Sequence, residues 1–174
     1  MRPIETLEFP SQKAYANEIE SCMYMGAEKI DEKGNLSSYK DYATNDLIDE
    51  SILSIKQDVK LLSENIINFG YDKLYESFQR HDFSPNDIDH FLPHISSYFF
   101  ASKIDEALIQ NGISIPKEKW FTNLKTTGNI GAASIYIMVD ELMKSGKLKK
   151  GEKVFLLVPE SSRFSYVFCL LTVC

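Results

Sequence analysis

Two nearly continuous apolar runs close the chain, Val154-Phe155-Leu156-Leu157-Val158 and Tyr166-Val167-Phe168-Cys169-Leu170-Leu171-Thr172-Val173, joined by a short polar link around Pro159-Glu160-Ser161-Ser162-Arg163. A strand apolar at successive positions has no face to offer water, so its sheet must be covered on both sides. The short link makes the two runs antiparallel neighbours. Upstream, strand-like and helical segments alternate. His90-Phe91-Leu92-Pro93 reads as a short buried strand and Trp120-Phe121-Thr122-Asn123 as another. Apolar residues from Leu47 to Leu74 recur at a helical period, giving one long helix or two in succession. Ser96 to Gln110 is helical and stops at Asn111-Gly112, a C-cap signature. Ala132 to Lys144 is helical and closes at Ser145-Gly146. The order strand, helix, strand, helix, strand, helix, strand, strand is an α/β class with a mixed, mostly parallel sheet and helices on both faces.

The first fifty residues are less regular. Residues 4–9 and about 18–25 read as short extended segments, and Ile30 to Asn45 as a long irregular surface stretch, with Thr44 or Asn45 able to cap the helix that follows. The segment Ile130-Gly131-Ala132-Ala133-Ser134-Ile135-Tyr136-Ile137-Met138-Val139 is apolar nearly all round and is expected to be buried on every side. A lone half-sheet cannot bury it. The small residues at its start point to a further layer, from another chain or another part of the same protein.

Composition narrows the function. With 174 residues, 44% of them apolar, the chain suffices for one domain with a sizeable core. A net charge of -6 opposes phosphate binding and argues against a nucleic-acid partner. Cys22, Cys169 and Cys174 show no paired or metal-ligand spacing, which suits a reducing compartment and a cytoplasmic protein. Neither a signal peptide nor a run long enough to span a membrane is visible.

The candidate chemistry lies in two loops. His94, in Phe91-Leu92-Pro93-His94-Ile95-Ser96-Ser97, and Asn129, in Thr127-Gly128-Asn129-Ile130-Gly131-Ala132-Ala133-Ser134, each follow a strand and open a helix. A neutral imidazole and a carboxamide can donate hydrogen bonds to one carbonyl oxygen and so hold an enolate or oxyanion. The bland alternatives are a strand-end histidine with a structural bond and an asparagine helix cap. His81 and His90 read as inert. The three cysteines read as buried or terminal thiols, none at a strand-to-helix turn that would lower its pKa. Lys144, Lys147, Lys149, Lys150 and Lys153 form a basic cluster that reads first as a solvated helix end and second as a surface for an acidic partner.

The strand end Asp89-His90-Phe91-Leu92-Pro93-His94, the block Gly128-Asn129-Ile130-Gly131-Ala132-Ala133-Ser134, and the ending Gly151-Glu152-Lys153-Val154-Phe155-Leu156-Leu157 with Arg163-Phe164-Ser165-Tyr166 resemble the C-terminal half of ketoacyl-acyl carrier protein synthase III, a thiolase-fold condensing enzyme. The resemblance runs from about Ser51 to Val173, with residues 1–50 corresponding to strands and a variable insertion. It implies that the chain is one half of a five-layer αβαβα fold whose Cys-bearing N-terminal half lies elsewhere. It also implies a Cys-His-Asn site in which His94 and Asn129 match the last two members and no residue matches the cysteine. A backbone N–H from a turn before the last strand helps form the oxyanion hole, and the matching residue is Ser162. Glycine is usual in that turn, and Ser and Arg tolerate fewer backbone conformations. The implied reaction is a decarboxylative Claisen condensation of an acyl thioester with malonyl-acyl carrier protein, in fatty acid or related lipid and polyketide synthesis. The segment Pro93-His94-Ile95-Ser96-Ser97 resembles that of relatives making alkylresorcinol or aryl polyene lipids. No cofactor is implied beyond coenzyme A or carrier thioesters as substrates. The implied partners are acyl carrier protein, the N-terminal half and, in the complete enzyme, a second copy. Lys103 is the first cation in the helix after His94, where the family often meets its carrier. The alternatives are a non-catalytic thiolase-fold binding or dimerisation subunit, or acyl transfer from a coenzyme A thioester without decarboxylation.

Overall fold

Residues 4–31, 33 and 35–174 are described by a computed structural model. In chain order they form β1 (Ile4–Ala14), β2 (Met23–Tyr24), β3 (Ala27–Lys29), β4 (Leu36–Ser38), α1 (Thr44–Asp49), β5 (Lys56–Gln57), α2 (Val59–His81), β6 (His90–Pro93), α3 (Tyr98–Gln110), α4 (Leu124–Thr127), α5 (Ser134–Lys144), β7 (Lys153–Glu160) and β8 (Ser165–Val173). The chain divides into two units. One takes the chain up to Lys13, Ile67–Pro159 and Tyr166–Cys174; the other takes Ala14–Ile66 and Glu160–Ser165.

The first unit is built on a four-stranded sheet in the order β1-β8-β7-β6. β6 and β7 are parallel, from His90 opposite Val154 to Pro93 opposite Leu157. The other pairings run the opposite way. Gly151 N–H donates to the Val173 carbonyl (2.7 Å) and Val173 N–H to that of Glu152 (3.0 Å), placing the start of β7 beside the end of β8. At the outer edge the Thr172 hydroxyl donates to the Glu8 carboxylate (2.6 Å), and Tyr15 N–H donates to the Phe164 carbonyl (3.3 Å), so β1 is antiparallel to β8. The sheet is mixed as expected, but mostly antiparallel rather than mostly parallel, since only the β6–β7 pair is parallel. Only β6 and β7 are linked through a helical crossover, and the tight β7–β8 connection permits no parallel pairing. Residues 120–123, expected as a strand, make a single parallel bridge between Trp120 and Phe91. The backbone then turns away to start α4.

Both sheet faces are covered, as the continuous apolar strands require. One face is aromatic: Phe78 of α2 lies 5.3 Å from Phe155, and Phe91 and Phe168 each lie 6.2 Å from it. Gly70 lets α2 approach closely, since a Cβ there would sit 2.7 Å from the Tyr166 ring. The opposite face is aliphatic: Leu92, Val154 and Val173 pack against Ile135, Met138 and Leu142 of α5. The all-round burial expected for the 130–139 segment is not what this chain provides. Ile135, Met138 and Leu142 are buried, but Tyr136 is 76% exposed and Ile130 41%, because the sheet covers only one side of α5. α3 ends as its sequence indicates. Ile113 N–H donates to the Leu108 carbonyl (2.9 Å) and Gly112, at φ +76°, donates to that of Ile109 (3.0 Å), a Schellman cap.

The second unit has short elements. β2 pairs with β5 and β3 with β4, both antiparallel. The extended segment expected over 18–25 shrinks to Met23–Tyr24, and the stretch expected to be irregular contains β4, which pairs with β3 just before it; its Glu32 and Gly34 lie outside the described residues. The helical period from Leu47 to Leu74 resolves into α1 and α2, interrupted near Ser51 at φ +54°. The expected Thr44 or Asn45 cap is not formed, since Ala43 precedes α1 and bonds nothing with its side chain. Asp58 does cap α2, accepting from Leu61 N–H at 2.9 Å, and this bond first, then Lys29, holds its carboxyl below the usual range. Cys22, Ile52, Leu62, Ile66 and Phe164 are its buried apolar residues. No described helix is long and apolar enough to cross a membrane.

Candidate active site

His94 directly follows β6. Phe91, Leu92 and Pro93 are buried, and the ladder ends where His94 N–H donates to the Leu157 carbonyl at 2.7 Å. Proline suits the last strand position because it contributes no N–H. The backbone of His94 is thus anchored to β7 while its imidazole, half-buried, stays clear of the ladder. Burial lowers its pKa below the ordinary histidine value, which favours the neutral ring. Among the described residues neither ring nitrogen has a hydrogen-bond partner. A neutral imidazole so placed has an N–H to donate.

Asn129 is presented by a different device. Gly128 closes α4 at φ +78° and ψ −177°, a backbone conformation that glycine adopts without strain. The exposed Asn129 that follows accepts the Gly131 N–H on its Oδ1 at 3.0 Å. With the oxygen engaged, Nδ2 is the free end of the carboxamide, a donor. Farther along, Ile130 N–H donates to the buried Ser134 hydroxyl at 3.3 Å. The two loops lie at one end of the sheet. β6 and β7 are parallel and α5 feeds β7, so α5 runs back against both strands and its start lies toward their C-terminal ends, where His94 sits. Leu92 of β6 packs on Ile135 and Met138 of α5, so the elements carrying the two residues are direct neighbours. In open α/β sheets this end is where ligands bind.

The remaining candidates behave differently. Ser162, in the second unit, gives its N–H to Glu160 Oε1 at 2.7 Å, while Arg163 N–H reaches Oε2 at 3.3 Å. That amide is committed to the chain's own carboxylate. The left-handed position in the turn falls on Phe164 (φ +51°), whose fully buried ring holds a conformation costly for a bulky residue. Cys22 is fully buried, donates through Sγ to the Ser161 carbonyl at 2.8 Å, and is pushed up to about 11, by burial first and then by the charge of Glu160. Burial likewise raises Cys169. Neither thiol is poised as a thiolate. His90 is tied to Glu152 at 2.8 Å and His81 stacks on Phe9 at 3.9 Å, both structural contacts. In the basic cluster Lys144 pairs with Asp140 (2.6 Å) and Lys153 with Glu8 (2.9 Å), leaving Lys147, Lys149 and Lys150 exposed; Lys103 pairs with Glu106 (3.2 Å).

Residues 78–158, inside the first unit, match the family model described as 3-oxoacyl-[acyl-carrier-protein (ACP)] synthase III C terminal. Over these residues the chain carries the C-terminal domain of that family. A β-ketoacyl-[acyl-carrier-protein] synthase III of Natranaerobius thermophilus is 31% identical over 112 residues, 62% of this chain and 32% of that protein. The enzyme of the same name from Clostridium novyi is 29% identical over 91 residues, 52% of this chain and 26% of that protein. The solved β-ketoacyl-[acyl carrier protein] synthase III of Thermus thermophilus superposes on 95% of this chain and 46% of its own, with a TM-score of 0.70 at 17% identity. The fold is thus half of the thiolase-type fold of the condensing enzymes, and the chain spans about a quarter to a third of the length of these two curated relatives.

Sequence reasoning missed one participant in holding the Asn129 loop. Glu141 accepts from Asn123 Nδ2 (3.0 Å) and from the Thr127 hydroxyl (3.4 Å), tying α4 to α5. The available signal was its spacing. Glu141 lies seven residues after Ser134 and three after Met138, on the face of α5 that is otherwise buried, and a carboxylate there needs partners.

Proposed function

We propose that this chain supplies the His–Asn part of a decarboxylative condensing site in a 3-oxoacyl-[acyl-carrier-protein] synthase III-type acyltransferase. The observation that supports it is a half-buried imidazole whose neutral form is favoured, on the element that packs against α5, together with a carboxamide whose oxygen is pinned by Gly131 in the loop leading into α5. An acyl group is carried as a thioester on the cysteine of a complementary N-terminal half. His94 and Asn129 donate to the thioester carbonyl of a malonyl unit. The bond from the malonyl α-carbon to its carboxylate breaks, carbon dioxide leaves, and the electron pair remains as an enolate held by the two donors. The α-carbon then attacks the acyl thioester, expelling the thiolate and leaving a 3-oxoacyl thioester. Acyl carrier protein delivers the malonyl unit, and a second copy of the complete enzyme completes a dimer.

The test combines this chain with a Cys-bearing N-terminal half, an acyl thioester and malonyl-acyl carrier protein, and measures carbon dioxide and 3-oxoacyl product. The chain alone is expected to give none. His94→Ala or Asn129→Ala is expected to lower the restored rate on the order of 100-fold to 1,000-fold, the usual effect of losing one such donor. Undiminished turnover by His94→Ala would sink the assignment. A second reading, a non-catalytic thiolase-fold subunit, is favoured by the commitment of Ser162 N–H to Glu160 and by the inert Cys22. It predicts no product under any pairing, whereas acyl transfer without decarboxylation predicts product without carbon dioxide.

A further inference from the structure

We infer that Glu141 is a positioning residue for Asn129, acting as a clamp that sets where the carboxamide stands; this rests on the condensing role proposed for Asn129. The loop carrying Asn129 is held at both ends by one helix. At its start, α4 is a single turn, too short to be stable by itself. Its hold on the rest of the unit runs through Glu141, whose two carboxylate oxygens take one bond each from Asn123 and Thr127. Asn123 is only 7% exposed and its backbone carbonyl accepts from Thr126 and Thr127, so the side chain that meets Glu141 also nucleates the turn. Gly128 N–H then bonds to the Leu124 carbonyl (3.0 Å), and Asn129 is the next residue. At the far end Ser134, in the first turn of the same helix, receives Ile130 N–H. Glu141 lies seven residues, about two turns, along α5 from Ser134. The loop is thus strung between two points on one rigid element, and a short span between fixed points leaves few positions for Asn129. Removing the Glu141 carboxylate leaves Asn123, a buried polar side chain, without its acceptor and releases one of the two anchors.

The first readout is nuclear magnetic resonance on the chain itself. Glu141→Ala is expected to move the Asn129 Nδ2 signals toward those of a free asparagine. It is also expected to speed exchange of the Gly131 amide by about tenfold or more, while the amides of Phe91 and Phe155 keep their protection. Glu141→Gln keeps one acceptor oxygen and is expected to retain most of the native signature. Thr127→Val, which deletes a donor and no carboxylate, is expected to shift the same signals in a smaller degree. Unchanged Asn129 and Gly131 signals in Glu141→Ala would overturn the clamp. If that variant unfolds, unchanged signals in both Glu141→Gln and Thr127→Val would do so instead. In the paired assay, Glu141→Ala is expected to lower kcat by about 10-fold to 100-fold with KM unchanged, the cost of displacing a catalytic group by about an ångström. Partial rescue by Glu141→Gln is expected. A loss confined to KM would overturn the proposal. Loss of Asn129 order in Glu141→Ala, with turnover unaffected by Asn129→Ala, would refute the condensing role and leave the clamp standing.

Discussion

The two units of this chain cohere internally through different forces. The first rests on a sheet with aromatic side chains on one face and aliphatic ones on the other, so that Phe91, Leu92, Val154, Phe155 and Phe168 are all fully buried. The second has strands of two or three residues, a small buried set around Cys22 and Ile52, and ion pairs of Lys29 with Glu20 (3.1 Å) and Asp58 (3.4 Å) and of Lys56 with Glu28. Exposed or half-exposed ion pairs of that kind contribute little. The difference teaches where precise chemistry can be placed. Both donor loops spring from the first unit, where a displaced backbone would have to disturb a packed core, and the family match falls there too.

The hardest way to break this contrast is Phe155→Ala. Phe155 sits among Phe78, Phe83, Phe91 and Phe168, and its truncation is expected to cost about 3–5 kcal/mol, read from the denaturant midpoint. A loss under about 1 kcal/mol would show that the sheet core is not what carries the unit. Ile52→Val sharpens the other side of the comparison. It removes one methylene from a fully buried site in the second unit and is expected to cost about 0.5–1.5 kcal/mol. A larger loss would mark that small core as more tightly packed than its short strands suggest. The smallest effect is electrostatic and is read at His94. Its folded pKa lies below the ordinary 6.5, so the unfolded chain binds the proton first and stability falls as pH drops below that value. Imidazole proton resonances should titrate with a midpoint below 6.5, and His94→Gln should flatten that part of the stability profile; a midpoint above 6.5 would mean an acceptor or carboxylate holds the ring charged.

Much of the first unit is legible in its residues alone. The His90–Pro93 strand, the Asn111-Gly112 stop and the last two strands all match the residues that announce them, because each is specified by its own apolar run or its own glycine. Local signals fail where pairing or packing decides. Trp120-Phe121-Thr122-Asn123 has strand-like residues, yet Asn123 leaves the sheet to bond Glu141, and one bridge remains. Thr44 and Asn45 are good caps by type, but the helix begins one residue early and uses neither. Asp58, at the start of a longer helix, caps it in earnest.

The sequence by itself determined that His94 and Asn129 would each stand at the entry to a helix, since a proline-terminated apolar strand and a Gly-Asn turn dictate that locally. It also determined that the sheet would need cover on both faces. Tertiary structure alone decided that β1 joins the far edge antiparallel to β8 and leaves one parallel pair, because pairing direction depends on which strands meet. It alone decided that one flank of α5, with Tyr136, stays uncovered in this chain. The closing instance is the Asn129 carboxamide. Its residue type declared a donor, but the orientation that frees Nδ2 depends on a bond to Gly131, and the hold on α4 depends on a carboxylate twelve residues away on another element. Such contacts join positions that share no local pattern, and only folding brings them together.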